Sequence, residues 1–232
     1  YNCVVNPNLN FEHIKMYFDE YSIIGRSNVM YQMVDLPSTD TVNLADNYYQ
    51  IQAFEYLKAL LFMLDKLPKE EVAPFMFPQT ETLMNTHDML NMHGELQGKY
   101  HHSGPCIPGV RRPFINCYGN IYPCERVSET SSVMRIGTLD DGYDIDSVKR
   151  LLNVGKVTSD KCLNCWALLY CSQCARNADG KNVLSRTEKL KHCEESRSEA
   201  EAQLLEMCVL KEFGCKFDVR NTNYYDDGGN DQ

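Results

Sequence analysis

Cys162-Leu163-Asn164-Cys165-Trp166-Ala167-Leu168-Leu169-Tyr170-Cys171-Ser172-Gln173-Cys174 sets two Cys-x2-Cys turns in series with five residues between them. Turns this short draw four thiolates within a few ångströms of one another, which suits tetrahedral zinc or the corners of an iron–sulfur cluster. Eight of the chain's eleven cysteines lie between Cys106 and Cys193, so this part of the chain is expected to be built around metal.

A disulfide framework is the competing explanation, and it belongs to short secreted chains that cannot build a core. Here 232 residues with 43% hydrophobic composition can bury the core of one large or two small domains. Eleven cysteines also leave one thiol unpaired in any full set of disulfides. The opening Tyr1-Asn2-Cys3-Val4-Val5 has no basic segment followed by an apolar one, so no secretion signal is read there. The longest apolar run, Ala59 to Leu64, is far too short to cross a bilayer. The expected setting is a reducing cytoplasm with no membrane partner. A net charge of −9 argues against nucleic acid as a partner, since phosphate binding needs a basic surface. Arg111-Arg112 and the stretch Lys189 to His192 are small basic groups that could make local anion contacts but are expected on solvated faces.

Outward from the cysteines, the chain reads as α+β. Asn2 to Val5 is a strand, and Asn10 can cap a short helix with Phe11, Ile14 and Phe18 on its apolar face. Ser27 to Leu36 alternates as a second strand that Pro37 stops. Strand, helix, strand is the unit of a parallel sheet. Asn43 with Asp46 three residues on resembles a capping box, followed by a helical stripe of Ile51, Phe54, Lys58, Leu61 and Leu64 before Pro68. Residues 79–93 add another helix. Gly94, Gly98 and His101-His102-Ser103-Gly104-Pro105 read as a linker with both histidines exposed. After Cys193, Ala200, Leu204, Met207 and Cys208 make a last helical stripe ended by Gly214, and the tail from Asn221 is expected to be disordered.

Within the cysteine-rich part, Phe114-Ile115-Asn116-Cys117-Tyr118 and Ile121-Tyr122-Pro123-Cys124 flank Gly119-Asn120, a two-residue hairpin signal. In that register Cys117 faces Tyr122 and Ile115 faces Cys124. Cys117 and Cys124 then share a sheet face as diagonal neighbours about 7–8 Å apart, so both thiols could reach one metal group. Cys117 can equally be a packed core thiol. Cys3, Cys208 and Cys215 are expected to be buried and inert, and Trp166 to pack over the cysteine site. No Ser/His/Asp arrangement or phosphate-cradling glycine loop stands out.

In full, the order is Cys106, twelve residues, Gly119, four residues, Cys124, a gap, the run from Cys162 to Cys174, eighteen residues, and Cys193. Over about Gly104 to Gly214 this pattern resembles the SPASM domain, the C-terminal extension of radical S-adenosylmethionine enzymes that modify peptides and proteins. Pro108-Gly109-Val110-Arg111-Arg112-Pro113-Phe114 and Tyr122-Pro123-Cys124-Glu125-Arg126-Val127-Ser128-Glu129 look closest to maturases that install thioether cross-links in cysteine-rich ribosomal peptides. One departure is visible: the family's last pair is more often separated by three residues than by the Ser172-Gln173 found here. The resemblance implies two auxiliary 4Fe-4S clusters. Cys106, Cys124 and Cys174 would hold the first, with Cys117 a candidate for its fourth ligand, and Cys162, Cys165, Cys171 and Cys193 the second. In some members the first cluster keeps an open position where a substrate thiolate could bind iron.

Enzymes of this class cleave S-adenosylmethionine at a further cluster held by a Cys-x3-Cys-x2-Cys loop near the start of a partial β/α barrel. No cysteine here is followed by another four residues on, so the chain alone is expected to be inactive and to hold no catalytic residue, with S-adenosylmethionine bound only in a longer parent. On this reading residues 1–40 are the last elements of the barrel, 41–103 a helical bridge and linker, 104–195 the cluster domain, 196–220 a closing helix and 221–232 the tail. The implied partners are a precursor peptide and an N-terminal radical core of the same protein, and the implied roles are substrate positioning and electron transfer in anaerobic peptide maturation. The alternative is a zinc-binding structural or interaction module without redox function. Cys106 and Cys124 with Gly119 speak against it, because a single four-cysteine zinc site does not require them.

Overall fold

The structure, a computed structural model, describes residues 2–6, 11–20, 30–33, 47–90, 106–110 and 112–217. The expected caps Asn10, Asn43 and Asp46, the side chain of Cys3, Arg111, the linker histidines and the tail lie outside the described residues. The chain is mixed helix and sheet, α+β, and divides into two compact units, Tyr1–Met92 with Leu205–Gln232, and His93–Leu204. Among the described residues no helix is long and apolar enough to cross a membrane.

In the first unit, β1 (Asn2–Val5) pairs in parallel with β2 (Met30–Met33), and α1 (Phe11–Glu20) lies between them in sequence, as the strand, helix, strand pattern expects. α2 (Tyr48–Met63) and α3 (Phe77–Leu90) complete the local framework. Phe11 is fully buried and meets the edges of Tyr48 and Phe75 at ring-centroid distances of 5.3 and 5.5 Å. Offset and edge-on contacts of this kind add to the area that aromatic rings bury.

The buried face of α2 is Tyr48, Glu55, Ala59 and Met63, not the expected stripe, and Phe54 and Leu57 stand exposed. Apolar residues run almost all round this helix, so its periodicity does not single out one face. Its buried acid, Glu55, is matched by Lys58, whose Nζ lies 2.6 Å from Oε2, and more loosely by Lys15 at 3.9 Å. Oε2 accepts no aligned hydrogen bond, so the Lys58 contact is an ion pair held by charge.

Residues 205–212 of the last helix also belong to this unit. The helix closes on Gly214 at φ +86, with the Cys215 N–H donating to Leu210 O and the Gly214 N–H to Lys211 O, a Schellman end that favours glycine. Cys215 is buried, as expected, and its thiol donates to Met63 O at 3.4 Å. Cys208 is exposed, against expectation, because Met207 and Leu210 carry the burial on that stretch.

The second unit is organised on a small antiparallel sheet in the order β3 (Phe114–Ile115), β4 (Asn120–Tyr122), β5 (Gly137–Thr138), β6 (Gly142–Tyr143). Around it run α4 (Ile145–Leu152), the single turn α5 (Ser159–Cys162), α6 (Arg186–Lys191) and the start of α7 (Cys193–Glu212). Its core is Ile121, Tyr122, Val127, Val133, Met134, Ile136 and Leu151, with Cys124 packed against it.

The hairpin register differs from the expected one. Phe114 pairs with Tyr122 and Ile115 with Ile121, so residues 116–119 form the turn. The Asn116 side chain drives this: its Oδ1 accepts from the Tyr118 and Asn120 N–H groups at 3.1 and 3.0 Å, and Gly119 takes φ +76. Asparagine at the first turn position and glycine at the fourth is the signature of that longer loop. Cys117 therefore sits exposed in the turn, not beside Cys124 on a sheet face.

α4 starts at Asp144, whose carboxylate accepts from the Asp146 and Ser147 N–H groups and from the Ser147 hydroxyl. The Ser147 hydroxyl first, then the N–H groups and Arg150, hold this carboxyl below the ordinary range. A lowered pKa contributes stability that is complete above the unfolded value, about 3.9, and is lost as pH falls through the folded one. Asp144→Ala is therefore expected to lower the melting temperature at pH 7, and the gap from the parent chain should narrow below about pH 4. Equal gaps at pH 7 and at strongly acidic pH would show that the cap is not the cause.

Candidate metal centres

Two cavities in the second unit collect seven of its eight cysteines. The chain enters the first through Val154–Thr158 and α5, then steps through tight turns in which the Cys165 N–H donates to Cys162 O, Leu168 to Cys165 O and Tyr170 to Ala167 O. These turns bring Cys162, Cys165 and Cys171 to one space, and Cys193 at the start of α7 closes it. The cavity measures about 160 Å³ and is apolar apart from Thr158, Lys161, Gln173, Lys189, Ser196 and Arg197. Thr158 Oγ1 lies 3.2 Å from Cys162 Sγ.

Cys174 points elsewhere. Its N–H donates to Asn177 Oδ1 at 3.0 Å as the chain turns into Ala175–Ala178, and it joins Cys106 and Cys124 around a second cavity of about 330 Å³. Arg112, Arg126 and Arg176 share that wall, and Glu125 holds the first two at 3.3 and 3.8 Å. The four thiolates of the opening run thus do not form one group, as their spacing suggests: Cys193 stands in the place expected of Cys174. Cys117 lines neither cavity. Cys117→Ala is accordingly expected to leave metal uptake unchanged, and loss of metal in that variant would return Cys117 to the ligand set.

Burial pushes the Cys171 thiol up, the Gln173 N–H and the Lys189 charge draw it partly back, and Cys162 and Cys193 add to the rise. Burial likewise raises Cys124, against the Arg126 N–H, with Glu125 and Cys174 adding to the rise and Arg112 opposing it. These mutual effects are those of sulfurs gathered round a common space. Binding metal requires the thiolates, so uptake releases protons.

Soft sulfur donors select zinc, copper(I) or iron–sulfur groups. Among the described residues no three His, Cys, Asp or Glu are arranged to hold a single metal ion. Zinc holds its sulfurs at about 2.3 Å, which puts them within about 4 Å of each other. The four-thiol cavity, at about 160 Å³, is also far larger than the roughly 10–15 Å³ that one water needs. The soft donors and the space of this cavity admit a polyatomic sulfur-ligated group.

Two expectations change here. Trp166 is 55% exposed and does not pack over the site. Lys189, expected on a solvated face, is 2% exposed and lines the four-thiol cavity. Lys189 lies four residues before Cys193 but in α6, while Cys193 opens α7 across the turn at His192. Arg112 stands in the Arg111-Arg112 pair that could make an anion contact, whereas Gln173, Arg126 and Arg176 carried no sequence signal. No protein-family model, curated protein or solved structure matches the chain.

Proposed function

We propose that residues 104–195 are the auxiliary cluster region of a radical S-adenosylmethionine enzyme of the SPASM type, which modifies a ribosomally made peptide by thioether cross-linking. The observation that carries the reading is the sorting of Cys171 and Cys174 into different cavities. Separated by only two residues in an unbroken run, they part company in the interleaved manner that the resemblance implies. A zinc module built on the two Cys-x2-Cys turns would keep them together.

On this reading Cys162, Cys165, Cys171 and Cys193 hold one 4Fe-4S cluster, and Cys106, Cys124 and Cys174 the other. Such clusters, when bound, supply one-electron chemistry. The chain's own residues shield the four-thiol site with Ala167, Leu168 and Leu190 and leave the three-thiol site more polar. Arg112, Arg126 and Arg176 would draw an anionic group of the peptide toward that site. The parallel pairing of β1 and β2 across α1 supports assigning residues 1–40 to the end of a β/α barrel. The radical itself would come from a core carrying the Cys-x3-Cys-x2-Cys loop, which these 232 residues lack. The reading implies a reducing, low-oxygen cytoplasm.

Iron, sulfide and zinc analysis with Mössbauer spectroscopy, on chain reconstituted without oxygen, tests the proposal. About eight irons and eight sulfides per chain are expected for two clusters. Tight zinc with no sulfide would overturn it in favour of a structural zinc module.

A further inference from the structure

Beside Cys193, two buried polar side chains form a relay that ligand counting does not use. Lys189 and Gln173 are 2% and 3% exposed, and Lys189 Nζ donates to Gln173 Oε1 at 3.1 Å. An ammonium can only donate, so the amide oxygen must face Lys189 and the amide nitrogen must face the other way. That nitrogen, Nε2, donates to Cys193 Sγ at 3.7 Å. The lysine thus fixes the amide in the orientation that gives Cys193 a hydrogen bond. It also brings a cation into a cavity lined by four thiols.

We infer that Gln173 and Lys189 are positioning residues that raise the reduction potential of the group held by Cys162, Cys165, Cys171 and Cys193. The inference rests on the cluster reading above. Four thiolates around an iron–sulfur core leave it net negative, and adding one electron makes it more so. A fixed cation and an N–H···S bond stabilise the reduced form more than the oxidised one. A buried lysine is costly unless something nearby carries the opposite charge, and an anionic group bound in this cavity would supply it. Gln173 occupies one of the two positions between Cys171 and Cys174, so the short spacing brings the amide to this place.

The test uses the full chain with Cys106→Ala and Cys124→Ala, so that only the four-thiol site loads. Iron and sulfide are measured first. Midpoint potentials are then read by electrode titration, one electron per cluster, for this background and for Gln173→Leu, Gln173→Glu and Lys189→Met added to it. Gln173→Glu keeps the Lys189 contact and the side-chain shape but removes the donor to Cys193, which guards against a fold effect from Leu or Met. Each variant is expected to shift the oxidised-to-reduced ratio at the background's midpoint from equal to about ten to one, which is about 59 mV for a one-electron couple. Variants that load fully and keep the background's potential overturn the inference and leave the cluster reading standing. A background chain that takes up zinc without sulfide overturns both.

Discussion

With two 4Fe-4S clusters held as proposed, Cys165→Ala is expected to remove about four of about eight irons and to unfold the wall of the four-thiol cavity, while the three-thiol cavity stays loaded. The reason lies in what else holds that wall. From Cys162 to Tyr170 the chain is a series of single turns, and only Ala167 and Leu168 among its side chains are buried. Leu163 and Trp166 are exposed, so apolar burial contributes little there. A structural metal site contributes on the order of 10 kcal/mol at neutral pH, which exceeds what a few turns can supply by themselves. Differential scanning calorimetry of the reconstituted chain should show the transition of the second unit moving down or broadening, with hydrogen exchange rising in residues 159–174. An unchanged melting curve at full iron content would show that Cys165 holds nothing.

Lys58→Met in the first unit is expected to destabilise it by about 3 kcal/mol, because among the described residues it leaves only the distant Lys15 to compensate the buried Glu55 carboxylate. The Glu55 side chain is 4% exposed, so its charge is held away from solvent. Replacing both partners at once, Glu55→Leu with Lys58→Met, should recover most of that loss, since no charge is then stranded in the core. Urea unfolding of the three variants reads the difference directly. A double variant as unstable as Lys58→Met alone would mean that shape, not charge, makes this pair matter.

Local patterns that one interaction governs were legible from the residues. The parallel pairing of β1 with β2, the helix from Phe11 and the glycine end of α7 all follow from alternation, helical spacing and a single αL position. The division of the cysteines between two cavities was not legible in their spacing. Spacing alone grouped Cys174 with Cys171, because nothing in a Cys-x2-Cys unit shows that its second sulfur turns outward when Asn177 takes its backbone N–H. The hairpin register failed for a related reason. Gly119-Asn120 is a strong turn signal, yet the Asn116 side chain closes a larger turn and leaves Cys117 at its tip. The burial of Lys189 was hidden by composition, since lysine in a basic stretch reads as solvated until a cavity lined with sulfur faces it.

The grouping of thiols can be read by counting iron in double variants. If Cys165 and Cys193 serve one cluster and Cys174 another, Cys165→Ala/Cys193→Ala should lose no more than either single variant and retain about four irons and four sulfides per chain. Cys165→Ala/Cys174→Ala should retain none. The reverse result, with iron kept when Cys165 and Cys174 are both replaced and lost when Cys165 and Cys193 are, would put Cys174 with the run it belongs to in sequence and contradict the two-cavity account.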